Sequence, residues 1–337
     1  MPTPFLSIVI PVYNAEQTIS HAIQSILSQN FHDIEIIVVN DGSTDQSYEI
    51  CHNIALNEPR LSLINIHNSG VSCARNVGIE QAKGKYITFL DADDYYSSNF
   101  LKELTSQIDE NTELLIYGYN IVRDGVISGF RIPFRDCMHF NTQDEFRKAA
   151  ISLIENEMIN APWNKVYLTS YIKNNKINFP TEIDIGEDLK FNILVVREVS
   201  SVKACNQALV NYTVKKGEGL VSKFRPNRLE IRLSLLNEMK EMLDYWGVLG
   251  ENQHMLDRFL VRDFMASFID LYKKTCSLSY KEKLSFINNV VKREGNVLKN
   301  SAAPDLLSYI LKSIINTKRS VIILFFAKLL SLKRGLR

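Results

Sequence analysis

Four apolar runs, each closed by a polar cluster, constrain this chain more than anything else in it. Ser7-Ile8-Val9-Ile10-Pro11-Val12 ends in Tyr13-Asn14, and Ile34-Glu35-Ile36-Ile37-Val38-Val39 ends in Asn40-Asp41-Gly42-Ser43. Leu61 to Ile66 ends in His67-Asn68-Ser69-Gly70, and Tyr86-Ile87-Thr88-Phe89-Leu90 ends in Asp91-Ala92-Asp93-Asp94. Helical patterns fill the gaps. Ile19, Ile23, Ile26 and Leu27 share a face over Ala15 to Ser28, Ser43-Thr44-Asp45 can cap a helix running to Leu56, and Val71 to Lys83 is closed by Gly84. Strands alternating with such helices specify βαβ units and a parallel sheet. Ligands bind at the carboxyl ends of the strands in that architecture, which is where this chain puts its polar residues.

After a further strand from Leu114 to Tyr119, residues 121–136 read as a hairpin around Arg123-Asp124-Gly125. Mixed helix and strand continue to Lys223. From Pro226 onward strand signals fade, and helical faces recur at 229–243, 256–272, 280–292, 304–316 and 319–333. The expectation is an α/β domain over 1–223 and a helical domain over 224–337, two domains being ordinary for 337 residues. An apolar fraction of 45% and a charged fraction of 23% exclude wholesale disorder, collagen-like repeats and a polytopic membrane protein. A net charge of +1 gives no basic field for nucleic acid. Five scattered cysteines without metal-ligand spacing read as reduced thiols, hence a cytoplasmic protein. The N-terminus agrees: Met1 to Ser7 has no positive charge, and Leu6 to Val12 is too short for a signal-peptide core.

Three acids within four residues after a buried strand are costly unless something positive lies among them. Hard carboxylate oxygens suit Mg2+ or Mn2+. A capped turn, with a helix beginning at Ser97 or Ser98, accounts for the same residues. Tyr13 can stack on a base, and Asp41 can accept a hydrogen bond from a base N–H or a ribose hydroxyl. Singly, each reads as a packed aromatic or a capping turn; together on one sheet edge they favour a nucleoside. No G-x-G-x-x-G follows a strand, no P-loop pattern exists, and Gly217-Glu218-Gly219 is isolated, which disfavours a nicotinamide enzyme or a P-loop NTPase. The six histidines form no ligand spacing.

Four segments in order carry a resemblance: residues 7–14, 38–45, 70–79 and 86–94. They resemble the signature run of the glycosyltransferase family 2 enzymes, which have a GT-A fold and a D-x-D metal motif. The match is dense over residues 6–100. It continues more loosely to residue 215, through Ala161-Pro162-Trp163-Asn164-Lys165-Val166-Tyr167 and Gly186-Glu187-Asp188.

The resemblance implies a nucleotide-binding half over 1–100 and an acceptor-binding half over 101–223. It implies that Pro11, Tyr13 and Asp41 hold uracil and ribose, joined by Glu16, with Arg75 near the uridine or diphosphate. Asp91 and Asp93 would be the D-x-D pair, Asp93 the more direct ligand of Mn2+ or Mg2+ and Asp91 nearer the ribose. Asp188 would be the catalytic base, with Glu187 and Trp163 at the sugar and acceptor. The implied activity is inverting, metal-dependent transfer of a hexose or N-acetylhexosamine from a UDP-sugar to a glycan acceptor on a lipid or protein, as in polysaccharide biosynthesis or protein glycosylation. One base and no second catalytic carboxylate suffice for such a transfer. A sugar nucleotidyltransferase would need a Gly-rich basic loop where this chain has Asn14-Ala15-Glu16-Gln17, and an intact D-x-D and Glu-Asp weigh against a non-catalytic scaffold. The chain departs from the family at Asn40, where Asp is common, and at Lys215 and Lys216, which stand near where an Arg contacts the diphosphate. Lysine there lacks arginine's fork.

From Leu306 to Arg337 there are seven basic residues and no acidic ones, so residues 1–305 carry −6. The apolar run Val321 to Leu332 would make a helix about 18 Å long, too short for the roughly 30 Å of a bilayer core. Its basic flanks suit anionic headgroups at the inner face of a membrane. Its apolarity all round suits burial in the helical domain or in a homodimer.

Overall fold

The structure is a computed structural model, described for residues 3–214 and 223–333. Seven consecutive buried residues form β1 (Leu6–Val12), and β2 (Ile34–Asp41) is buried almost throughout. A strand covered on both faces must be apolar on both, which is why these runs do not alternate. With β3 (Leu61–Ile66) and β4 (Tyr86–Phe89) they make a parallel set in the order β3-β2-β1-β4. Between them run α1 (Ile19–Leu27), α2 (Ser47–Ala55) and α3 (Val71–Gln81). On α1 the buried side chains Ile19, Ala22, Ile23 and Ile26 recur at helical spacing and join the core under the sheet.

The sheet continues past β4 with β9 (Lys165–Leu168), β6 (Leu114–Arg123), β10 (Val202–Thr213) and the two-residue β5 (Tyr95–Tyr96), ten strands among the described residues. Here it is mixed: β9 runs antiparallel to both neighbours, while β6 and β10 are parallel to each other. The expected hairpin is β6 turning into β7 (Val126–Arg131) through Asp124 and Gly125, both at positive φ, the backbone of a tight two-residue turn. The short β8 (Met138–Phe140) pairs with β10. The helices of this half are α4 (Phe100–Gln107), α5 (Gln143–Glu155), α6 (Thr169–Asn174) and α7 (Glu187–Glu198).

Two local expectations shift. The second helix begins at Ser47, whose N–H donates to Asp45 Oδ1 at 2.9 Å, so of the expected Ser43-Thr44-Asp45 cap only Asp45 meets the helix start. Gly84 does not close α3, which stops at Gln81 with Ala82 already extended. Its N–H donates instead to Ser7 Oγ (2.8 Å) and Glu35 Oε1 (3.0 Å), and a Cβ there would lie 2.6 Å from the Ser7 nitrogen. The glycine permits a close backbone approach at the entry of β4.

The chain divides into two compact units, Met1–Val214 and Lys215–Arg337. The second is helical among its described residues: α8 (Arg228–Tyr245), α9 (Leu249–Ile269), α10 (Tyr280–Asn300), α11 (Leu306–Asn316) and α12 (Ser320–Lys333). Its core is centred on α9, whose residues from Val261 to Ile269 are nearly all buried. A Ser279/Glu282 capping box starts α10.

Candidate active site

Parallel pairing brings the polar ends of β1, β2 and β4 to one edge of the sheet. Val12 pairs with Asn40, so Tyr13 and Asp41 follow adjacent strand ends. Pro11 comes after the last bond on the β4 side, Leu90 N–H to Val9 O at 3.0 Å, where its missing N–H breaks no ladder. Tyr13 is 52% exposed. Next to it Asn14, at positive φ, accepts the Thr44 N–H at 2.8 Å, and Glu16 Oε2 accepts the Gln46 N–H at 3.0 Å. These bonds lock the loop after β1 to the loop after β2.

Asp41 is buried, and its two oxygens accept the N–H groups of Ser69 (2.6 Å) and Gly70 (2.9 Å). It therefore shapes the loop leading into α3. Each carboxylate oxygen keeps a further acceptor site.

Arg75, on α3, is buried and joins two distant acids. Its Nη2 donates to Asp91 Oδ1 at 2.8 Å and its Nη1 to Asp188 Oδ1 at 2.6 Å. The guanidinium also lies 5.1 Å from the Phe179 ring centroid. Burial opposes its charge, yet Asp188 and Asp91 outweigh burial and raise its pKa. Asp188, in the first turn of α7, is pushed up by burial to about 7, with Arg75 pulling down and Glu187 and Asp91 pushing up. Among the described residues its Oδ2 accepts no hydrogen bond, and about a quarter of the side chain reaches solvent. Glu187 beside it is buried.

The turn after β4 places Asp91 partly buried, Asp93 exposed and Asp94 1% exposed. Asp94 Oδ1 accepts the Thr213 N–H at 2.7 Å, pinning the end of β10, while its buried Oδ2 has no partner. Burial first, and then Asp91 and Asp93, raise its carboxyl well above the usual range. A buried carboxylate oxygen without a donor beside two more carboxylates is a donor set short of positive charge, and a hard divalent cation fits it. Among the described residues no three His, Cys, Asp or Glu side chains converge as a complete metal cage. That suits an ion such as Mg2+, which one or two carboxylates and substrate phosphates hold between them.

Trp163 is mostly covered: its ring stacks on Tyr212 at 5.1 Å and 11° and meets Tyr119 edge-on at 4.9 Å. The exposed ring of this stack is Tyr212, whose hydroxyl is held neutral, up to about 12, first by burial and then by Asp94, Asp91 and Asp93. Behind Trp163, Lys165 is wholly buried, with Nζ donating to Met158 O (2.9 Å), Ala161 O (2.6 Å) and Asn164 Oδ1 (2.8 Å). Burial pulls its ammonium down to about 7, against the attraction of Asp188. Sequence reasoning gave no role to Lys165 or Tyr212, and took Asp94 only as one of three acids suited to a cation, without singling it out. The signals were the third acid of the trio and a lysine inside a quoted motif. Lys215 and Lys216 lie outside the described residues.

A profile of glycosyl transferase family 2 matches residues 7–175. The uncharacterized glycosyltransferase EpsJ of Bacillus subtilis is 30% identical over 260 residues, 77% of this chain and 75% of that protein. The poly(ribitol-phosphate) beta-N-acetylglucosaminyltransferase TarS of Staphylococcus aureus is 27% identical over 226 residues, 65% of this chain and 37% of TarS. The crystal structure of TarS 1–349 with UDP-GlcNAc superposes with a TM-score of 0.68 at 23% identity, covering 98% of this chain and 92% of the other. A mannosyltransferase from Pyrobaculum calidifontis, solved with GDP-Man and Mn2+, gives a TM-score of 0.53 at 14% identity over 98% of this chain and 88% of the other. Those structural likenesses are ones of fold, the GT-A fold expected from the motifs. The strand order, the acids at the strand ends and the extent of the sequence match agree: the chain belongs to glycosyl transferase family 2.

Proposed function

We propose that this protein is an inverting glycosyltransferase moving a hexose or N-acetylhexosamine from a UDP-sugar to a hydroxyl of a glycan acceptor on a lipid or protein. The observation that carries the reading is the Arg75 bridge, which brings the Glu187-Asp188 pair against the D-x-D acids at the nucleotide edge of the sheet. The names of the TarS structures, solved with UDP and UDP-GlcNAc, support the donor class.

In this reading Tyr13 stacks on the uracil, and Asp41, fixed by Ser69 and Gly70, accepts a hydrogen bond from the base or ribose. Asp91, Asp93 and Asp94 would hold a divalent cation. Such an ion supplies electrostatic stabilisation of the departing diphosphate. Tyr212, backed by Trp163, offers its ring to the sugar. Asp188 Oδ2 takes the proton of the acceptor hydroxyl as that oxygen bonds to the anomeric carbon and the bond from carbon to the UDP oxygen breaks. Arg75 keeps Asp188 ionised for the task and fixes its orientation.

A screen of UDP-sugars for UDP release, with and without Mn2+ and with glycan acceptors, tests the reading. The expected result is release with a UDP-hexose or UDP-N-acetylhexosamine that is stimulated by acceptor. No release with any donor in either condition would sink it in favour of a non-catalytic scaffold.

A further inference from the structure

Eight of the nineteen large apolar side chains exposed among the described residues lie between Leu306 and Leu332. On α12 the exposed ones are Val321, Phe325, Leu329 and Leu332, at spacings of four, four and three, which is a single helical face. The opposite face, Ile323, Leu324, Ala327 and Ser331, is buried where α12 packs on α9 and α10. Apolarity all round suits burial in the helical domain or in a homodimer, yet within this chain Phe325 stays 57% exposed and Val321 55%. Half of the helix is used by its own unit, and the outer stripe, about 20 Å long over fourteen residues, is left apolar. The preceding helix adds Leu306 and Ile310, also exposed.

The charge around this stripe is of one sign. Lys328 and Lys333 are exposed and border it, about 20° from Val321 and about 40° from Leu329 at 100° per residue. Lys318 and Arg319, exposed, precede the helix, and no acid occurs from Leu306 to Lys333. A second copy pairing through the same face would set these four cations against the same four. No helix among the described residues is long and apolar enough to cross a membrane.

We propose that α12 docks flat on an anionic phospholipid surface, its apolar stripe entering the headgroup–acyl boundary and Lys318, Arg319, Lys328 and Lys333 contacting the headgroups. An apolar face rimmed by lysine and arginine is the composition that binds at such an interface. This inference does not depend on the transferase reading, although a lipid-borne acceptor would lie at the same surface.

The test is sedimentation of the full chain with phosphatidylcholine vesicles and with mixed phosphatidylcholine–phosphatidylglycerol vesicles, alongside light scattering for oligomeric state. Wild type is expected to pellet with the mixed vesicles only. The double variant Lys328→Gln/Lys333→Gln should partition about 30-fold more weakly, the effect of removing two headgroup contacts of ordinary strength. Phe325→Ser/Leu329→Ser should stay in the supernatant with an unchanged melting curve, because both side chains face solvent. Wild type remaining soluble with mixed vesicles would overturn the proposal. So would binding that ignores vesicle charge and both lysines, or a wild-type dimer that Phe325→Ser/Leu329→Ser turns into a monomer without any vesicle binding.

Discussion

Arg75 Nη1 lies 2.6 Å from Asp188 Oδ1, joining two residues 113 positions apart. Its Nη2 reaches Asp91 as well, so one buried guanidinium ties α3 to the first turn of α7 and to the turn after β4. Three elements that meet nowhere in sequence are held in one constellation by two charge-assisted hydrogen bonds, which are among the stronger bonds a protein makes.

If Asp188 is the base, Asp188→Asn should lower kcat by about a hundredfold or more, the scale of a positioned acid–base group. Asparagine keeps the shape of the side chain but cannot take the proton. Binding of the UDP-sugar, read by calorimetry, should barely change. A variant that loses donor binding while keeping its saturated rate would remove Asp188 from that role.

Burial raises the Asp188 carboxyl to about 7, so in the proposed role as base it would be lost by protonation as pH falls through neutrality. The acid limb of kcat/KM, which reports the free enzyme, should lie near that value and vanish from the residual activity of Asp188→Asn. Arg75 attracts the carboxylate and lowers its pKa. Arg75→Gln should therefore move the acid limb to higher pH, a shift that a purely structural arginine would not cause. The same variant leaves two partly buried acids without their cation and should cost about 3 kcal/mol of stability in urea unfolding, the low end for breaking a buried pair.

Asp93 is the exposed member of the acid trio, so Asp93→Asn should leave the melting temperature in place. If Asp93 holds the cation as proposed, UDP release should fall to background because a ligand charge is gone. Chelator treatment of the wild type should do the same, with activity returning on addition of Mn2+. Full activity in excess chelator would reject the metal requirement.

Lys165 Nζ satisfies three acceptors in the segment that carries Trp163. Lys165→Met fills similar volume but leaves Met158 O, Ala161 O and Asn164 Oδ1 without that donor. With each unpaired buried group costing about 1–3 kcal/mol, a loss of about 2–4 kcal/mol after relaxation is expected in denaturant unfolding. An unchanged midpoint would show that the ammonium contributes no net stability there.

Much of the fold could be read from local pattern. The β1, β2 and β3 runs, the hairpin at Asp124-Gly125 and the helices after Pro226 follow from apolar period and turn chemistry, which act between neighbours in the chain. Gly84 was misread because its reason is not local: it lets β4 begin against the backbone of Ser7, 77 residues earlier. For α12 the sequence left docking and burial both open, because a helix apolar all round carries no mark of which side its neighbours will cover.

The site divides in the same way. By itself the sequence determined which residues close each strand, and so placed Tyr13, Asp41, Asp91 and Asp93 along one edge, because parallel strands joined by helices all point the same way. Only the tertiary structure decided what those residues touch. It bound both oxygens of Asp41 to the loop before α3, left Asp94 Oδ2 buried without a donor, and covered Trp163 with Tyr212. It also turned Arg75 inward to meet Asp188. Hydrogen bonds and charge pairs form between atoms a few ångströms apart, and that separation is set by how helices and strands pack on one sheet, a property of the whole unit that no spacing along the chain encodes.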